Sequence, residues 1–144
     1  MSSTPIVMTR DDYSRLCGML DRMPIQDRHH FQDLRREMGR ARRIGSDEVP
    51  ADVVTMGSTV HLRELETDEP WTFTVCFPEE ADIREDRISV LSPVGTAIIG
   101  CRVGDIVDWP VPSGTVRIRI ESIAFQPEAA GSATMTTSPV EAGR

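Results

Sequence analysis

Apolar residues recur along this chain at two different periods, and the change of period falls near residue 50. Tyr13, Leu16, Leu20 and Met23 are spaced by three and four, which lays them along one stripe of a helix. The stretch Thr9-Arg10-Asp11-Asp12 precedes them. It offers Thr9 as N-cap and Asp12 three positions on, where an acid suits the positive helix end. Pro24 stops this helix. The spacing of Phe31, Leu34, Met38 and Ala41 predicts a second helix from about Ile25 to Ile44, with Gly45 as its C-terminal stop. Two amphipathic helices with a short join predict an antiparallel helical hairpin over residues 1–47, a short coiled coil.

The stretch from Ser46 to Val54 reads as a linker, and beyond it the period is two. Val60 and Leu62 alternate with polar residues, as do Trp71, Phe73, Val75 and Phe77, and again Val116, Ile118 and Ile120. The last series slips phase near Glu121–Ser122, since Ile123 and Phe125 continue it on odd numbers. A β-bulge there restores the inward face. Prolines, glycines and acids break the runs at 67–70, 78–87 and 110–114. The expected body, residues 53–128, is a small, twisted, mainly antiparallel sheet with one short helix, so the fold class is α+β. The tail, residues 129–144, is poor in apolar side chains, and disorder is expected after about Gly131.

Composition narrows the function classes. The formal net charge is −7, unevenly placed: residues 1–50 hold nine arginines against eight acids, and the remainder holds seven against fifteen. An acidic body argues against general or sequence-specific nucleic-acid binding, which needs phosphate neutralisation. There is no lysine, which excludes a lysine Schiff base and a lysine-dependent phosphate loop. Cys17, Cys76 and Cys101 are widely spaced and odd in number, so reduced cytosolic thiols acting as small hydrophobes are expected. No apolar run is long enough for a membrane span, and the start MSSTPIVMTR lacks signal-peptide character, so a cytoplasmic location is expected. Arg28, Arg35 and Arg42 lie beside the stripe of the second helix, with Arg36, Arg40 and Arg43 farther round. They form either a basic face for an acidic partner or a solvated face with Asp33–Arg36 and Glu37–Arg40 pairs, each worth ~0.2–0.5 kcal/mol.

The stretch LSPVGTAIIGCRVGD, from Leu91 to Asp105, poses the sharpest question. Gly95 and Gly100 satisfy the glycine spacing of a phosphate loop, but Cys101 and Arg102 stand where lysine and a hydroxyl residue belong. Turn chemistry explains every position instead. Ser92 is a good N-cap, Pro93 suits the first helical position, and Gly100 ends the helix in a left-handed conformation. Gly104-Asp105 then turns the chain into a strand from Ile106 to Trp109.

The text ISVLSPVGTAIIGCRVGDIVDWPVPSG, with VTMGSTVHLRELE before it and FQPEAAG after it, resembles the C-terminal domain of the GreA/GreB family of transcript cleavage factors. Within that family it is similar to the Rnk-like proteins, regulators of nucleoside diphosphate kinase with a shortened hairpin. The resemblance covers about residues 49–131. It implies an FKBP-like body and RNA polymerase as protein partner, met near the secondary channel. It also implies docking through the loop Ser92, Pro93, Val94 and Gly95; as plain chemistry the same residues are a helix start with Val94 in the core.

In the Gre factors an acidic pair at the hairpin tip helps hold a catalytic magnesium. Here Asp21 and Asp27 are the candidates, and a hairpin reaching at most ~30 Å is too short to deliver them as the long version does. Both also suit helix ends. Prolyl isomerase activity would need an aromatic-lined apolar pocket; of the seven aromatic residues two belong to the hairpin and three alternate along one strand and read as core. His29, His30 and His61 build no catalytic or metal pattern, so no cofactor, no metal and no enzyme activity are expected. The leading expectation is a non-catalytic polymerase-binding regulator. The rivals are cleavage stimulation through the tip acids and a partner-binding or homodimeric module unrelated to transcription.

Overall fold

The computed structural model describes residues 5–28, 31–111 and 113–130. Strand β1 (Val7–Thr9) leads into helix α1 (Arg10–Asp21), the single turn α2 (Ile25–Arg28), α3 (Gln32–Arg40) and β2 (Arg42–Ile44). Then come β3 (Thr59–Glu64), β4 (Glu69–Cys76), β5 (Arg87–Ser89), α4 (Pro93–Ile98), β6 (Ile106–Val111) and β7 (Gly114–Phe125). The last five strands form one sheet in the order β5-β4-β3-β7-β6, antiparallel except for the β4–β5 pair. Val60, Leu62, Val75, Ile118 and Ile120 alternate along it onto one fully buried face, as the period-two pattern predicts.

The bulge is where the phase slip predicts it. Leu62 pairs with Ile120 and His61 with Ser122, which leaves Glu121 without a partner and returns Ile123 to the inner side opposite Val60. A second irregularity follows at once, since Thr59 pairs with Phe125 and skips Ala124. It leaves Phe125 about half exposed.

The N-terminal part departs from the predicted hairpin. Thr9 caps α1 as expected, accepting from the Asp12 amide at 3.0 Å, and Leu16, Leu20, Leu34 and Met38 form the buried stripe. The second helix, however, is broken, and it ends at Arg40 rather than Ile44. Ala41 is extended, and residues 42–44 run as a strand parallel to β1, with Val7 opposite Arg42 and Thr9 opposite Ile44. Gly45 therefore follows a strand and caps no helix. Backbone pairing with β1 offers Arg42–Ile44 hydrogen bonds that a last helical turn would have left to solvent.

The helical part does not stand apart from the sheet. Ile6, Met8, Leu16, Leu20, Leu34 and Met38 belong to one buried cluster with Val54, Met56, Phe77, Ile98 and Ile99. The Val7 N–H to Gly100 C=O bond at 3.0 Å crosses the seam, and it is continued on either side by Arg42 N–H to Ile6 C=O and Gly100 N–H to Val54 C=O, both at 2.8 Å. The expected linker is tied down as well. Gln126 Nε2 donates to the Pro50 and Val53 carbonyls, both at 2.8 Å, across more than seventy residues of chain.

Gly100 sits in the left-handed region, and a Cβ on it would lie 2.7 Å from Ile6 Cβ and 3.1 Å from the Val7 carbonyl oxygen. Gly104 is also left-handed, but a Cβ there meets nothing within 4 Å. Gly104→Ala is expected to cost about 1–2 kcal/mol from backbone strain alone. Gly100→Ala should cost about 2–4 kcal/mol, because it also pushes β1 off the sheet body. Urea unfolding of the two variants measures the difference; equal losses would mean that β1 does not seat on Gly100.

Candidate functional site

Helix α4 carries the residues that the sequence singles out. Its N-terminus is locked by side chains at every step. Ser92 Oγ accepts from the Gly95 amide at 3.1 Å and donates to the Ser89 carbonyl at 2.6 Å. The Leu91 amide donates to Ser89 Oγ at 2.9 Å, and Thr96 Oγ1 donates to the Val90 carbonyl at 2.9 Å. Pro93 fills the first helical position, where its missing N–H costs nothing, and its ring is exposed.

The four residues of the implied docking loop do not share one surface. Val94 is 6% exposed and packs with Ile98, four residues on, in the core. Gly95 is buried too, and a Cβ on it would collide with the Ser89 carbonyl oxygen. Val94 and Gly95 thus anchor the turn from below. Pro93, beside half-buried Ser92, is what it presents. The Val94–Ile98 spacing was already a signal of an inward stripe.

The tip acids are not brought to a common site. Asp21 Oδ1 accepts from Arg35 Nη2 at 2.8 Å, which braces α1 against α3. Asp27 is exposed on α2, and its amide closes the turn on the Pro24 carbonyl at 3.0 Å. The tip exposes Ile25 instead, at 78%. The arginines of α3 are paired on the surface, Arg36 with Asp33 and Arg40 with Glu37, while Arg43 lies over the Tyr13 ring at 4.4 Å. Among the described residues no group of three or more His, Cys, Asp or Glu is placed to hold a metal ion. None of their helices is long and apolar enough to cross a membrane. Burial pushes the Cys101 thiol up to about 12 and the Cys76 thiol upward as well, which disfavours the reactive thiolate at both. His61 is exposed, its Nδ1 2.9 Å from Thr72 Oγ1. His29, His30 and the tail from Gly131 lie outside the described residues.

One titrating group went unseen in the sequence. Asp12 Oδ2 accepts from the Met56 amide at 3.2 Å, across the seam between α1 and the body. Glu128 lies on the far side of that seam and accepts from Thr55 Oγ1 at 2.7 Å. Burial, with Glu128 adding to it, raises Asp12 to about 6 against the pull of the Met56 amide, Thr9 and Arg15. A carboxyl raised on folding binds its proton more tightly in the native state, so its contribution weakens as pH rises from about 4 to about 6. Asp12→Asn is therefore expected to stabilise the chain at pH 7.5 and to make little difference at pH 4. Denaturant titrations at the two pH values check this, and a variant less stable at pH 7.5 would contradict it.

Comparison with known proteins agrees with this architecture. The family model for the C-terminal region of the GreA/GreB transcription elongation factors matches residues 49–125, and the model for the Rnk N-terminus matches residues 4–44. The regulator of nucleoside diphosphate kinase of Escherichia coli K12 is 34% identical over 137 residues, covering 91% of this chain and 97% of that protein. Transcription elongation factor GreA of Thermodesulfovibrio yellowstonii is 35% identical over 96 residues, covering 67% of this chain and 61% of its own length. Among solved structures, a transcription elongation factor GreA/GreB from Nitrosomonas europaea superposes with a TM-score of 0.71 at 34% identity, over 85% of this chain and all of that one. With a shared body, a shared head and a relative matched almost end to end, the chain belongs to the GreA/GreB transcription elongation factor family, in its Rnk-type form.

Proposed function

We propose that this chain is a non-catalytic regulator of transcription that binds RNA polymerase near its secondary channel. Pro93 makes the contact, with Ser92 beside it. What the family resemblance implies about the partner is supported by relatives named as transcription elongation factors. The supporting observation within this chain is the mount under Pro93. Val94 and Gly95 are buried below it, and Ser89, Ser92 and Thr96 hold the turn by hydrogen bonds. A proline ring fixed in this way loses little conformational freedom on binding, so more of its contact free energy appears as affinity. The sheet and its short helix are read as an FKBP-like body, residues 53–128, headed by the helical part over residues 1–47.

In this reading the helical tip faces the channel and acts by occupying space. Helix α1, at 12 residues, spans only about 18 Å. Its acid Asp21 is engaged with Arg35, and exposed Ile25 stands at the end. The tip thus competes with longer channel-entering factors and leaves the polymerase's chemistry alone. An effect on nucleoside diphosphate kinase, in the sense of the relative's name, follows through transcription.

Pro93→Glu tests the contact. Glutamate is well tolerated in the first turn of a helix, so the fold should be kept. Affinity for core RNA polymerase is expected to fall by about tenfold or more. Wild-type binding should be little affected by salt, as befits an apolar contact. Undiminished binding by the variant would refute the assignment. Transcript cleavage by stalled complexes that requires Asp21 and Asp27 would show the tip to be catalytic.

A further inference from the structure

The seam between α1 and the turn after β4 holds a cleft of about 270 Å³, lined by Ser14, Arg15, Gly18, Met19, Arg22, Phe77 and Glu79. Two guanidinium groups converge on it. Arg15 stands over the Phe77 ring at 4.0 Å. Arg22, seven residues on at the C-cap of α1, folds back so far that a methyl group at Gly18 would touch its Nη1 at 3.4 Å. Gly18 is four residues from Ser14 and Arg22 and three from Arg15, so all of them border one strip of helix surface. Among the described residues neither arginine is in a salt bridge. Asp12, a turn earlier, accepts from the Met56 amide and also feels the charge of Arg15, and Glu79 closes the opposite rim.

Gly18 is the second observation. A glycine in mid-helix weakens the helix, and here packing does not demand it. The nearest atom to an added methyl would be the mobile end of Arg22, and no main-chain atom comes within 4 Å of it outside the helix itself. What the missing side chain provides is a flat floor between the two arginines.

We infer that this cleft binds a small organic phosphate, independently of any contact with polymerase. Two planar forks and the Ser14 hydroxyl suit the several acceptor oxygens of a phosphate dianion. Half-buried Met19 lies beside the arginines for an attached apolar group, while buried Phe77, its ring under Arg15, forms the back of the cleft. Glu79 opposes the anion and sets how tightly it is held. Because one wall belongs to α1 and the other to the sheet body, an occupant also clamps the seam.

A ¹⁵N chemical-shift titration of the full chain with phenyl phosphate tests this. Saturable shifts are expected at Ser14, Gly18, Arg22 and Glu79, with a rise in melting temperature. Arg15→Gln and Arg22→Gln, both at exposed positions, should each weaken binding by about tenfold or more, as loss of a charge-assisted contact does. Glu79→Gln should tighten it. Gly18→Ala separates the ligand role from the fold: the chain should be as stable as wild type or more so, yet bind less well. Shifts that do not saturate, or that spread over Arg35, Arg36 and Arg40 alike, would overturn the inference. So would undiminished binding by the Arg15 and Arg22 variants.

Discussion

The structure hangs on a single left-handed residue. Gly100 ends α4, gives its N–H to Val54, and receives the Val7 N–H on its carbonyl. Its missing side chain is the space into which Ile6 packs. A residue with a Cβ would strain the turn and push the first strand away together. The helical head is therefore built into the core of the body: Ile6, Met8, Leu16 and Leu20 lose their buried surroundings if the seam opens.

Helix α4 thereby joins two tasks over six residues. Its C-terminal end seats β1 and fixes the direction of the helical head. Its N-terminal end, held by the Ser89–Ser92 bonds, carries Pro93 into solvent. A short helix buried at Val94, Gly95 and Ile98 is a stiff spacer, so the head and Pro93 stand in a fixed relation. On the proposed function, a polymerase that grips the proline would receive the helical tip at a set position.

Local chemistry was legible where neighbours in sequence decide it. The Thr9 and Ser92 caps, the Pro93 start, the Gly100 stop and the bulge at Glu121 all depend on residues within a few positions. What escaped depends on partners far along the chain. Val7–Thr9 and Arg42–Ile44 are three residues each, too short for alternation to show, and they become strands only by finding one another. The helical spacing of Phe31, Leu34, Met38 and Ala41 carried the second helix too far because nothing local stops it after Arg40. Val94 shows a different failing: its spacing from Ile98 marks the core, whereas the family resemblance directs attention to its surface. Asp12 meets Met56 and Glu128, 44 and 116 positions away, so its shifted titration leaves no trace in the local pattern.

The central claim is a rigid body that offers Pro93 and the helical tip together. Hydrogen–deuterium exchange of the full chain, free and bound to core RNA polymerase, tests it most directly. The account predicts that the amides of Val7 and Gly100 already exchange slowly in the free chain, and that binding adds protection at residues 91–96 and at the tip. Rapid exchange at Val7 and Gly100 in the free chain, or protection on binding that bypasses residues 91–96, would contradict it.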